Sequence, residues 1–294
     1  MKLSYHTGKN VGDAINPLIF EHFLGDEVLD GNPSSRLLGI GSILGLKSHP
    51  GCQKIVLSSG WADDEATYGA KPNIDGNYDI RAVRGPLTAR ALSLPDELAV
   101  IDGAYLIADV LKRSKPAVKG VIGFIPHHKS LDFYPDWESI AEAAGFVLLD
   151  VRLEPSEFME ALWSCEYVVT EAMHGAILAD AYRIPWVPIR LYGHINEFKW
   201  LDWAASLKLD LEIDVAPSKL HSAQSFSGII NRRGVPKGLS SVAARGLLWW
   251  RKRVVKRWLR GLKQRQGQLS DSRLLELAVC ELRGRCMQVR ADYL

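Results

Sequence analysis

From Lys2 to about Leu209, short apolar runs alternate with stretches whose apolar positions recur at helical spacing. This alternation predicts parallel sheets with helices packed on their faces. Residues 2–5 read as a strand, 10–16 as a glycine-containing turn, and 17–24 as a helix opened by Pro17. Residues 37–44 and 54–60 read as strands that end in glycine-serine turns, where backbone amides approach a ligand closely. Strand 80–84 runs into a proline-initiated helix at 85–92, and Pro95 and Pro116 bracket a last unit at 99–107. A second series follows the linker-like 112–117: strands at 120–126, 146–151, 167–170 and 186–190, with helices at 137–144, 155–163 and 174–182.

The expected fold class is therefore α/β, with two Rossmann-like lobes at 1–114 and 115–214 and a ligand cleft between them, at the carboxyl ends of strands. After about Pro217 the rhythm stops, and 215–294 reads as a basic, mainly helical tail. Residues 241–263 predict one amphipathic helix. Leu247, Trp250, Val254, Val255, Trp258 and Leu262 fall largely on one face, and Arg253, Lys256, Arg257 and Arg260 on the other. Arg251 and Trp249 break the pattern, each lying within the opposite face. A further helix is expected from Ser270 to about Leu282.

Composition adds little to this and excludes some classes. A chain of 294 residues, 47% hydrophobic and 24% charged, buries a sizeable core and suggests about two domains. No apolar run approaches the roughly 18–20 residues of a membrane span, and the first residues lack a signal-peptide pattern, so a cytoplasmic location is expected. Four scattered cysteines fit reduced thiols. The net charge of +2 conceals an asymmetry, because 215–268 is rich in lysine and arginine and contains no aspartate or glutamate. Such a segment asks for an anionic partner.

The chemistry-bearing residues cluster at predicted strand ends. In Glu171-Ala-Met-His174-Gly175 a β-branched strand passes directly into a helix, so His174 sits where free amides favour anions. Histidine also exchanges protons near neutral pH. A structural, helix-capping histidine is the alternative. Glu171 either orients that imidazole or is a solvated first-turn acid. Arg84, at the lip of its strand, suits bidentate contact with phosphate or carboxylate, or else forms an ion pair; Arg81 takes the plainer ion-pair role. His127 and His128 follow the first strand of the second series. Asn10, Gly12 and Asp13 occupy the first turn, and Gly41-Ser42 and Ser59-Gly60 repeat the idea. None of these is a dinucleotide or P-loop fingerprint, and no metal motif is present, so neither cofactor nor metal is expected.

Taken together, Gly12-Asp13-Ala14, Gly39–Leu44, Val83–Arg90, Pro126-His127, Thr170–Ile177 with Ala179, Ile184–Val187 and Lys199–Leu207 resemble the polysaccharide pyruvyl transferase family, particularly its succinoglycan-type ketal-forming branch. The resemblance implies a fold like that of two-lobed GT-B glycosyltransferases. It also implies transfer of pyruvate from phosphoenolpyruvate onto two hydroxyls of a sugar, in an exopolysaccharide or its lipid-linked precursor, as a cyclic ketal. By position it assigns Arg84 to the donor and His174 to acid catalysis. Many relatives carry an arginine where this chain has Ala172, which leaves Arg190 as the expected second cation. Glu171 joins the donor side, Asp13 and His127 serve as acceptor-side catalytic groups, and Asn10, Ser42 and His128 contact the acceptor. Helix 241–263 either lies on an anionic membrane surface or packs on the body. The rival readings are a nucleotide-sugar-dependent glycosyltransferase on the same fold and a non-catalytic protein that binds through its basic tail. No recognition motif points to specific nucleic acid.

Overall fold

The computed structural model describes residues 1–45, 51–221 and 237–294. Four parallel strands form one sheet in chain order: β1 (Lys2–Ser4), β2 (Ser35–Leu38), β3 (Gln53–Ser59) and β4 (Tyr78–Val83). Between β1 and β2 runs α1 (Val11–Leu24), which buries Val11, Ile15, Ile19 and Phe20. The helix begins well before Pro17, where the proline had suggested a start. Proline removes the amide that would bond the Asp13 carbonyl, and the Asn16 side chain supplies the missing donor, its Nδ2 lying 2.9 Å from that oxygen. Asn16 Oδ1 in turn accepts from Ile40 N at 2.8 Å, which ties α1 to the loop after β2. That loop starts earlier than expected, because β2 ends at Leu38 and Gly41 turns the chain with a φ of 114°.

A short helix, α2 (Glu65–Tyr68), precedes β4, and α3 (Pro86–Ala91) follows it, with proline at the helix start as the sequence predicts. The segment expected to form a further unit makes only a bridge from Ala99 to Val83, then short 3-10 turns and α4 (Ile107–Val110).

The second sheet is also parallel and contains β5 (Ile122–Ile125), β6 (Val147–Leu148), β7 (Tyr167–Thr170), β8 (Trp186–Arg190) and β9 (Asp214–Val215). Its helices are α5 (His128–Phe133), α6 (Trp137–Ala144), α7 (Pro155–Trp163), α8 (Met173–Ala181) and α9 (Glu197–Ser206). The strand order β6-β5-β7-β8-β9 means that the winding reverses between β5 and β7. Ligands of doubly wound sheets bind outside the carboxyl ends of the strands at that reversal. Here those ends lead into His127-His128 and into Glu171–His174.

One hydrophobic cluster joins the two sheets, including Ile55 and Leu57 of β3 and Val168 and Val169 of β7. Buried polar contacts pin the junction. Tyr105 Oη donates to Asp180 Oδ2 at 2.8 Å and accepts from Trp203 Nε1 at 3.2 Å. The basic C-terminal segment lies against this body, and its residues 222–236 fall outside those described. A long helix, Lys237–Leu262, packs on α6 and buries Ala244, Val255, Leu259 and Leu262 along one face. Trp250, placed by spacing on the apolar face, is instead 54% exposed. At 3.6 residues per turn it lies about half a turn from Leu259, so the seam against α6 faces away from it. The last helix, Ser272–Tyr293, runs beyond its predicted end and packs on α1, β3 and β4. It is held by Arg81–Asp292 at 2.6 Å and Arg283–Asp109 at 2.6 Å, and Arg81 thereby takes its expected ion-pair role.

Candidate active site

Between the carboxyl ends of the two sheets lies a cleft of about 480 Å³, a size typical of small-molecule sites. The first sheet's turns contribute Asn10, Asp13, Ser42 and Tyr68, and the second contributes His127, His128, His174, His194 and Lys199. His6, Lys9, Lys129 and Arg152 line it as well. Six of the nine residues proposed from sequence thus come together: Asn10, Asp13, Ser42, His127, His128 and His174.

His174 occupies the first turn of α8, whose leading amides have no carbonyl partner within the helix and favour negative charge. Two glycines create its position. A Cβ on Gly175 would lie 2.5 Å from Thr170 Oγ1, so only glycine lets α8 fold back this tightly on β7. A Cβ on Gly12 would lie 1.9 Å from His174 Nδ1, so the imidazole rests directly on the first turn of α1. On the ring's other side, Nε2 is 3.7 Å from Asp102 Oδ2, and neither atom has a hydrogen-bond partner among the described residues. Asp102 is fully buried. Burial opposes its ionisation, but the imidazole of His174 and the Ala104 amide outweigh that and hold the carboxyl below the usual carboxylate range.

His127 and His194 are a coupled, neutral pair. Burial, then the neighbouring His128 and His194, push His127 down to about 2; burial and Lys129 push His194 down to about 4. His127 Nδ1 accepts from Lys129 N at 3.3 Å, so at the 3.1 Å contact between the rings His194 Nε2 is the donor. His128 is lowered as well, chiefly by burial. These rings offer hydrogen bonds near neutral pH, and the positive charge at the cleft comes from Lys9, Lys129 and Lys199, while Arg152 is paired with Asp150 and Asp132. Lys199 Nζ sits 4.8 Å from the Tyr68 ring centroid and 3.4 Å from its hydroxyl. Burial, then nearby Arg84, lower it to about 8.

Three proposed residues stand apart from the cleft lining. Arg84 is fully buried and turned inward: Nε meets Asp202 Oδ2 at 2.9 Å, while the two terminal nitrogens donate to Ser42 Oγ at 2.8 Å and Trp61 O at 2.9 Å. It supports the cleft floor by fixing Ser42, and its charge raises the potential around Lys199. Arg190 pairs with Glu197 away from the cleft. Glu171 is buried behind His127 and accepts from His127 N, Ser130 Oγ, Leu191 N and Tyr192 N. Burial raises its carboxyl's pKa against these donors. It cross-links the loops after β5 and β8, and it borders the small cavity that Ala172 and Lys199 also line.

Sequence reasoning passed over Asp102, Lys199, His194, Lys129 and Arg152 as site residues. Asp102 carried a legible signal, a lone carboxylate inside the apolar run Val100-Ile101-Asp102-Gly103. Lys199 lay within a quoted motif without being singled out.

The family model described as polysaccharide pyruvyl transferase matches residues 31–191. Among curated proteins, the succinoglycan biosynthesis protein ExoV of Rhizobium meliloti (strain 1021) is 35% identical over 206 residues, which is 67% of this chain and 61% of that protein. The chain therefore spans about three fifths of the length of this relative. No solved structure matches it. Arg84, Asp102, His127 and His174 lie inside the family match, whereas Asn10, Asp13, His194 and Lys199 lie outside it.

Proposed function

The chain belongs to the polysaccharide pyruvyl transferase family, and from that premise we propose that it moves pyruvate from phosphoenolpyruvate onto two hydroxyls of one sugar as a cyclic ketal. The acceptor is an exopolysaccharide unit or its lipid-linked precursor, and the reaction is cytoplasmic. The two parallel sheets are read as the lobes of a GT-B-like fold, meeting near residue 114. The observation that carries the proposal is the His174–Asp102 pair, set at a helix start in a cleft lined by cations.

The donor's methylene carbon is protonated to a methyl group, and positive charge develops on the adjacent carbon. One sugar hydroxyl attacks that carbon and loses its proton to a base. Phosphate leaves with the electron pair of the carbon–oxygen bond, and the second hydroxyl then closes the ketal with loss of its own proton. His174 is the acid, acting from Nδ1 while Asp102 stabilises the imidazolium through Nε2. Asp13, oriented by Asn10 Nδ2 at 2.8 Å, faces the acceptor as the base, and neutral His127, whose Nδ1 already accepts from Lys129 N and His194 Nε2, offers it Nε2–H as a donor. Ser42 and His128 position the diol.

Lys199 supplies the second cation. It lines the same small cavity as Ala172, the position where many relatives carry arginine, so a lysine from α9 reaches the space that arginine would fill. Arg190 is not needed in that role, and Arg84 acts from beneath the floor. Lysine is cationic below its pKa, so donor affinity is present below about 8 and lost as pH rises through that value. The KM for phosphoenolpyruvate should be flat to about pH 8 and then climb, and Lys199→Arg should remove the climb. Lys199→Met should raise KM roughly 10- to 100-fold at neutral pH, the worth of a charge-assisted hydrogen bond. A KM for the Lys199→Met variant equal to wild type would refute the role.

Gly12→Ala is expected to behave like a catalytic lesion. The added methyl displaces the imidazole, so kcat for phosphate release should fall at least about 100-fold, with an overpacking cost of about 1–3 kcal/mol read by thermal melting. Full activity in this variant would contradict the close approach of His174 to α1.

A further inference from the structure

The long helix Lys237–Leu262 has two working faces. Ala244, Val255, Leu259 and Leu262 are buried and mark the face turned toward the body, where the helix packs on α6. On the opposite side Trp249 and Trp250 are 60% and 54% exposed, alongside exposed Arg253 and Arg257. Lys256 and Arg260 flank them, and the Arg253 guanidinium lies 4.8 Å from the centre of the Trp249 ring. Positions 249, 253, 256, 257 and 260 recur at helical spacing, so indoles and cations share one outward stripe. The helix contains no acidic residue.

We propose that this stripe is a docking surface for an anionic phospholipid bilayer, on which the helix lies flat. Two neighbouring exposed indoles are costly in water and at home at the headgroup boundary. The surrounding arginines and lysines match anionic headgroups. A bilayer accounts for both classes of residue at once. A nucleic acid accounts for the charges, but no organised recognition motif accompanies them. Among the described residues no helix is long and apolar enough to cross a membrane, so the attachment is peripheral. The helix is also tied to the cleft rim. Arg251 donates to Lys219 O at 3.0 Å, and Tyr192, two residues before cleft-lining His194, donates to Leu220 O.

The inference is independent of the chemistry proposed for the cleft, and its test reads binding rather than turnover. The full chain is sedimented with vesicles of phosphatidylcholine alone or with phosphatidylglycerol, at low and high salt. Binding is expected only with phosphatidylglycerol, and it should weaken with salt. Each basic residue near such a surface accounts for about fivefold in partitioning, so Arg253→Ala with Arg257→Ala should lower it roughly 25-fold. Trp249→Ala with Trp250→Ala should also weaken binding and leave a salt-sensitive remainder. In the wild type, bilayers with brominated acyl chains should quench tryptophan fluorescence, a reading that needs no variant. The proposal fails if the chain ignores phosphatidylglycerol vesicles at low salt, if both paired variants bind like wild type, or if an RNA homopolymer is bound while vesicles are not.

Discussion

Replacing His174 with alanine should reduce phosphate release from phosphoenolpyruvate by about 1000-fold or more while leaving KM for the donor nearly unchanged. A positioned general acid is worth roughly 10²–10⁴ in rate, and the protonated carbon offers solvent water no comparable foothold. In the proposed reading the donor's charges are met by lysines and helix amides that the substitution leaves in place, so the loss belongs in kcat. Asp102→Asn separates orientation from proton delivery. The carboxamide keeps the shape but not the charge that faces the ring, so kcat should fall about 100-fold. That loss lies in kcat, whereas the Lys199 effect lies in KM, and the two are separable in one data set.

Arg84→Ala should be the most destabilising single change in the cleft. It leaves Asp202 fully buried, still bonded to Thr88 N and Oγ1 at 2.8 and 2.6 Å but without its counter-charge. Breaking such a pair from one side costs about 3–5 kcal/mol, which corresponds to a fall in Tm on the order of 10 °C. Removing both charges with Arg84→Met and Asp202→Leu should recover much of that loss. Activity would suffer in either variant because Ser42 loses its partner at 2.8 Å. If Arg84 instead gripped the donor directly, Arg84→Ala would raise KM steeply and leave the melting temperature nearly unchanged. Thermal melting beside donor kinetics distinguishes these outcomes.

The different fates of Arg84 and His174 show what the chain made legible. The strand cores were readable because runs such as Tyr167–Thr170 are short, β-branched and bounded by turns. His174 was readable because a strand passes into a helix at that point, and the junction fixes where its side chain can sit. Arg84 also ends a strand, but its direction is decided by Asp202, far away in sequence on α9, and no local pattern reports that contact. Lys199 escaped for the same reason: it enters the cleft from α9, and tertiary packing alone brings it beside Ala172, whereas Asp102, buried behind His174, left its mark as a lone carboxylate in an apolar run. The start of α1 was hidden by Pro17, whose disruption is repaired by one side-chain hydrogen bond from its neighbour Asn16. In the long helix the periodicity identified an amphipathic element. It misplaced Trp250, because a helix with apolar residues on both sides does not declare which side meets the body.

The central claim is that this cleft transfers pyruvate from phosphoenolpyruvate to a sugar diol. The most direct measurement incubates the full chain with phosphoenolpyruvate and a panel of exopolysaccharide repeat-unit oligosaccharides, free and lipid-linked, and follows released phosphate together with the mass and proton spectrum of the product. The expected result is stoichiometric phosphate and an acceptor that gains a carboxyethylidene group with its methyl singlet, both absent with His174→Ala. Sugar transfer from a nucleotide sugar without consumption of phosphoenolpyruvate, or full pyruvyl transfer by His174→Ala, would contradict it.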